Sequence, residues 1–142
     1  MPDSKDTNTW DYERLFTGTL LAALDMEVIR ADTQCVVMRM PVGPKTTQPM
    51  GWLHGGASVA LAESAASLGT LLNIAPETQA AAGLEINANH LRPATGGHVT
   101  ATATWIHKGK STMVWDIRIR DDQDRLICVA RCTMAITERT QA

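Results

Sequence analysis

Gly51-Trp-Leu-His-Gly-Gly-Ala-Ser-Val-Ala-Leu-Ala-Glu-Ser-Ala-Ala-Ser-Leu-Gly-Thr-Leu-Leu-Asn-Ile74 is a nearly uncharged run in which small and apolar residues dominate. Glu63 is the only formally charged side chain between Lys45 and Glu77. The run opens with His54-Gly55-Gly56 and stops short of Pro76, so the pattern predicts one long helix over 54–74, apolar nearly all round and therefore buried. A carboxylate in such a helix is costly to bury unless it is hydrogen-bonded, paired or engaged in chemistry.

Outward from the helix, the elements on either side are shorter and simpler. Residues 41–49 (Pro-Val-Gly-Pro-Lys-Thr-Thr-Gln-Pro) form a loop. Before it, 27–30 and 35–40 read as two short strands, residues 10–24 as one or two short helices interrupted at Gly18, and residues 1–9 as a flexible polar tail. After the helix the apolar residues recur with period two. Leu84, Ile86, Ala88 and His90 share one strand face, followed by Val99, Ala101, Ala103 and Trp105, then Met113, Trp115, Ile117 and Ile119, then Leu126 through Ile136. Short turns at Ala94-Thr-Gly-Gly, Lys108-Gly-Lys and 121–125 suggest a four-strand meander. The expected fold is α+β, a single domain in which a curved antiparallel sheet wraps around one long central helix.

The 142 residues suffice for one domain with a real core, and a formal charge of -2 gives no global pull towards nucleic acid or acidic membranes. Three cysteines without a pairing motif read as buried apolar side chains in a reducing compartment. Cys128 and Cys132 would lie about 13 Å apart on an extended strand, too far for a disulfide. The polar N-terminus carries no leader pattern, and the serines, glycines and Glu63 of the helix argue against a membrane span, so the expectation is a cytoplasmic protein. The four histidines and three cysteines lack metal-ligand spacing.

The chemistry concentrates at two places on the helix. Glycines at its start leave backbone N–H groups without intrahelical acceptors, where the helix dipole adds partial positive charge, and such a spot suits the oxyanion of a thioester under attack. His54 can brace that loop, and Gln48 in the preceding loop can aim its amide at the same carbonyl. Glu63 and Ser67 lie four residues apart and so share a face, where the hydroxyl can hold either the carboxylate or an attacking water. From residue 54 to residue 63 a helix turns about 900° and rises about 13 Å, so its start and Glu63 point to opposite sides. Two antiparallel helices related by a two-fold axis would join Gln48, His54 and Gly55 of one chain to Glu63 and Ser67 of another. His90 looks into the site or serves as a structural strand-end residue. Arg92, Lys108 and Lys110 are either phosphate contacts for a nucleotide-bearing carrier or ordinary surface charge.

From Gln48 through Ser67, and again from Gly83-Leu-Glu-Ile-Asn-Ala-Asn-His-Leu-Arg-Pro93, the chain resembles the hotdog-fold acyl-CoA thioesterases of the PaaI-like type. Within them it most resembles the branch holding the 1,4-dihydroxy-2-naphthoyl-CoA hydrolase of menaquinone synthesis and the proofreading thioesterase of enterobactin synthesis. The resemblance covers roughly residues 15–137. It implies a hotdog fold, a homodimer pairing into a homotetramer, no metal or organic cofactor, and an acyl-CoA or acyl-carrier-protein thioester as substrate. It assigns Glu63 as nucleophile or general base, Gly55 as oxyanion donor, Gln48 and His54 to the carbonyl end, Ser67 beside Glu63, and His90 to the acyl or water site. Trp52 stands beside this loop, where it would narrow the acyl pocket. The alternatives are a hydratase or dehydratase on the same fold, pairing Glu63 with His54 or His90, and a binding module that holds a thioester without turnover.

Overall fold

A computed structural model describes residues 10–140. The expected central helix is α3 of the chain order: α1 (Tyr12–Phe16), α2 (Leu20–Ala23), β1 (Glu27–Ala31), β2 (Cys35–Pro41), α3 (Gly55–Leu71), β3 (Gln79–His90), β4 (His98–Lys108), β5 (Thr112–Asp121) and β6 (Leu126–Glu138). The expected tail at residues 1–9 lies outside the described residues. Helix α3 ends at Leu71 rather than at residue 74, because the Asn73 side chain takes up its last turn, donating to the Gly69 carbonyl at 2.8 Å and the Thr33 carbonyl at 3.0 Å.

All six strands join one antiparallel sheet in the order β1-β2-β4-β5-β6-β3, and α3 packs against β2 through β6. This is the expected hotdog arrangement. The apolar stripes predicted on β4 and β5 are inside: Val99, Ala101, Ala103, Met113, Trp115, Ile117 and Ile119 are fully buried. On α3 the residues facing the sheet are small, which lets helix and sheet approach closely. Gly69 lies directly under the Trp115 ring, whose Nε1 donates to Thr70 Oγ1 at 2.9 Å. Cys35, Cys128 and Cys132 are unpaired, the last two buried among this core. Among the described residues no helix is long and apolar enough to cross a membrane.

The four-strand meander is wrong in one connection. Strands β4, β5 and β6 do follow one another through tight turns, but β3 pairs with β6 at the sheet edge and not with β4. The Ala94-Thr-Gly-Gly segment is a crossover rather than a hairpin. Leu91 N–H bonds the Ile127 carbonyl, Leu53 N–H the Ala94 carbonyl and Val42 N–H the Gly97 carbonyl, and these bonds draw the chain across the end of the sheet beneath the start of α3. The face assigned to Leu84 is also wrong. Between Gly83 and Glu85 the register against β6 slips by one residue, so Gly83 opposes Met134 and Ile86 opposes Cys132. This bulge makes Leu84 the extra residue, and it is 63% exposed.

Candidate active site

The loop entering α3 is held by its own backbone. Thr47 and Leu53 form an isolated bridge, and His54 N–H bonds the Thr46 carbonyl at 2.8 Å. Within it, residues 48–51 make a tight turn that Gly51 closes at φ +82, its N–H bonding the Gln48 carbonyl. The Gln48 side-chain oxygen accepts the Met50 N–H. That leaves the amide NH₂ of Gln48 as a donor without an acceptor among the described residues.

At the helix start the first N–H groups divide unequally. His54 Nδ1 accepts the Gly56 N–H at 2.8 Å, and the His54 carbonyl accepts those of Ala57 and Ser58. A ring nitrogen that accepts carries no proton, so in the neutral ring the hydrogen sits on Nε2. Only the Gly55 N–H is left without an acceptor among the described residues. The His90 ring lies on the other side of Gly55, and a Cβ at residue 55 would stand 2.9 Å from His90 Nε2. Gln48, Trp52, Gly55, Ser58, His90 and Arg92 line one cleft of about 320 Å³.

Glu63 and Ser67 line a different cleft, about 530 Å³, between α3 and the α1–α2 segment, with Leu15, Phe16, Leu20 and Leu68 among its walls. The Glu63 side chain is half-buried, without a hydrogen-bond or ion-pair partner among the described residues, and rests against the bare Cα of Gly83. Ser67 does not hold the carboxylate. Its hydroxyl points to the Met134 sulfur at 3.8 Å. Beneath them the Cys132 thiol is pushed up to about 12, first by burial and then by the negative charges of Glu63 and Glu85, so it stays a thiol at neutral pH.

Within one chain the expected residues therefore form two groups. Gln48, Gly55, His90 and Arg92 share the first cleft, with His54 bracing its rim. Glu63 and Ser67 occupy the second. Trp52 is in the first and not in the Glu63 cleft where an acyl group would meet apolar walls. Arg92 is tied at that end, its Nη1 donating to the Leu126 carbonyl at 3.0 Å. Lys108 ends β4 and Lys110 lies on the β4–β5 turn, at the far end of a strand about 33 Å long. Sequence reasoning did not find the α1–α2 wall, Ser64 or Gly83. Ser64 was readable as a neighbour of Glu63, while the other two are brought in by contacts remote in sequence.

Residues 50–128 match the family model described as the thioesterase superfamily. Over 120 residues the chain is 46% identical to the 1,4-dihydroxy-2-naphthoyl-CoA hydrolase of Listeria monocytogenes, covering 84% of this chain and 97% of that protein. It is 43% identical over 119 residues to the Escherichia coli protein of the same name, covering 84% and 87%. The crystal structure of a mutant thioesterase PA1618 from Pseudomonas aeruginosa superposes with a TM-score of 0.88 at 40% identity, covering 94% of this chain and 98% of that one. A matched segment spanning more than half the chain, near-complete relatives and a shared six-strand sheet around one helix agree: the chain belongs to the thioesterase superfamily of hotdog-fold enzymes and is a thioester hydrolase.

Proposed function

We propose that this protein hydrolyses an acyl-CoA thioester to the free acid and CoA at a site built from two chains. The observation that carries the reading is a pair of groups without a protein partner among the described residues, the Gly55 N–H and the Glu63 carboxylate, set in different clefts of α3. The Gly55 N–H and the helix dipole polarise the thioester carbonyl, and the free Gln48 NH₂ supports the same oxygen. His54 keeps the loop in shape by accepting from Gly56. The Glu63 carboxylate of a two-fold-related chain attacks the carbonyl carbon, expelling CoA thiolate and leaving a mixed anhydride that water then hydrolyses. In the other form of the same reading it takes the proton from a water that attacks directly, with Ser67 within reach of that water.

The apolar walls of the Glu63 cleft suit an apolar acyl group, aryl or of medium chain length, carried on CoA or on an acyl-carrier protein. Arg92 of one chain, with Lys108 and Lys110, meets the phosphates of the carrier. His90 stands at the carbonyl end, beside Gly55, rather than among the walls of the acyl cleft. The resemblance to PaaI-like enzymes supports dimers that pair into a homotetramer, and three unpaired cysteines suit a cytoplasmic enzyme.

The deciding experiment measures thiol release from benzoyl-, phenylacetyl-, hexanoyl- and octanoyl-CoA. Glu63→Gln is expected to lower kcat by about 10²–10⁴-fold on every ester that turns over. A Glu63→Gln enzyme as fast as the parent would remove the acid from the mechanism. Single turnover in ¹⁸O-labelled water tests for the first form: label in the Glu63 side chain means an anhydride that water opens at the Glu63 carboxyl carbon.

A further inference from the structure

Glu63 lacks a polar partner among the described residues, yet its carboxylate has a defined seat. A Cβ built on Gly83 would collide with Glu63 Oε1 and stand 3.3 Å from the carboxyl carbon. The register partner of Gly83 on β6 is Met134, and Met134 is the residue whose sulfur faces the Ser67 hydroxyl. The helix pair Glu63 and Ser67, one turn apart, thus stands on the cross-strand pair Gly83 and Met134. The bulge in β3 creates this fit. Strict alternation back from Ile86 and Ala88 would turn Leu84 towards the helix, into the space the carboxylate occupies. The extra residue sends Leu84 outward and presents a residue with no side chain instead.

We infer that Gly83, presented by the β3 bulge, is the positioning residue of the hydrolysis: its bare Cα sets the height and direction from which the Glu63 carboxylate meets the thioester carbonyl. The inference rests on Glu63 being the acid of the proposed mechanism. Gly83 does not have the left-handed backbone that would by itself demand glycine. A methyl group there is compatible with the strand, and alanine loses less backbone freedom on folding than glycine does. If the residue served only the fold, Gly83→Ala would be neutral or stabilising. If it seats the carboxylate, the added methyl displaces Glu63 by about 1 Å or more, enough to cost about 10²-fold in rate.

The test compares the parent with Gly83→Ala, Glu63→Asp, the double variant and Glu63→Gln, using benzoyl-CoA and hexanoyl-CoA with thiol release and thermal melting as readouts. Gly83→Ala is expected to lose about 10²-fold in kcat with KM changed less than about threefold. Aspartate withdraws the carboxylate by one methylene and vacates the space the new methyl needs. The double variant is therefore expected to turn over at least about tenfold faster than the product of the two single losses predicts. Should Gly83→Ala lower the melting temperature, the same shortening must restore it. Full kcat in Gly83→Ala while Glu63→Gln is dead would overturn the role of Gly83 and leave the acid in place. Losses that simply multiply, or melting that the shortening does not restore, would reduce Gly83 to a packing residue. Full kcat in Glu63→Gln would instead remove the mechanism on which the inference stands.

Discussion

On α3, Gly55 and Gly69 each lie beneath a ring, but a methyl group added to either would do different damage. At Gly69 it would come within 2.6 Å of Trp115 Cζ2, on a ring that is fully buried and pinned through Nε1 to Thr70. That ring has nowhere to go, so overpacking costs about 1–3 kcal/mol, against a helix-propensity gain from glycine to alanine of at most about 1 kcal/mol. At Gly55 the methyl meets His90, which is exposed and lines an open cleft, so the imidazole can swing aside at little cost in stability. The damage there falls on the open N–H. Gly69→Ala is expected to melt several degrees below the parent with kcat nearly intact, and Gly55→Ala to keep its melting temperature while kcat drops about 10²-fold or more. Differential scanning calorimetry alongside thiol release separates the two. Gly55→Ala with parental kcat would mean that the oxyanion is held elsewhere.

Among the elements, the β5–β6 turn makes a pH prediction. Asp121 Oδ1 accepts the N–H groups of Gln123 and Arg125 at 3.0 and 2.9 Å, and its Oδ2 accepts Arg125 Nε at 2.7 Å. Desolvation pushes this carboxyl up, but the backbone and guanidinium donors outweigh it and hold the group below its ordinary 3.8. A lowered folded value makes the carboxylate stabilising above the unfolded value, and that contribution fades as pH falls through the folded one. Asp121→Asn is therefore expected to melt below the parent at neutral pH, with the gap closing as pH drops below about 4. A gap that stays constant into acid would mean the turn draws nothing from the charge. The same scale shows what can be read from sequence. Helix α3 was legible because everything that defines it is local: an apolar run, glycines at its start and Pro76 beyond its end. Glu63 and Gly55 stand out as candidates for the same reason. The choice of β6 rather than β4 as the partner of β3 was not legible, because Ala94-Thr-Gly-Gly has hairpin composition and its fate depends on bonds to Leu53 and Val42, 41 and 55 residues away. The Leu84 bulge escaped too, since an alternating pattern does not record an inserted residue. Gly83 was hidden with it.

At the scale of the molecule, both clefts lie on α3, and within one chain the proposed acid and the proposed oxyanion donor fall in different ones. In the proposed assembly, a two-fold axis running between two α3 helices would supply the missing half to each. It would set the start of one helix near the middle of the other, and it would carry the β4–β5 end of the second chain, with Lys108 and Lys110, from the far end of the sheet to the end that holds Arg92. One axis thus resolves both separations, which favours it over a rearrangement within the chain, where a loop tied to Ala94 and Thr46 would have to move. The consequence is an arithmetic of mixed dimers. In a Glu63→Ala chain the Gln48 half is intact, and in a Gln48→Ala chain the Glu63 half is intact. At equal amounts and complete exchange, half the dimers are mixed and each has one whole site, so activity should return to about a quarter of the parent from two nearly inactive preparations. Native mass spectrometry on chains of different tag mass verifies exchange, and thiol release from the most active ester reports the sites. Complete exchange with activity no higher than the mean of the two preparations would place both halves of every site in one chain, and the two-fold assembly would then have no part in the chemistry.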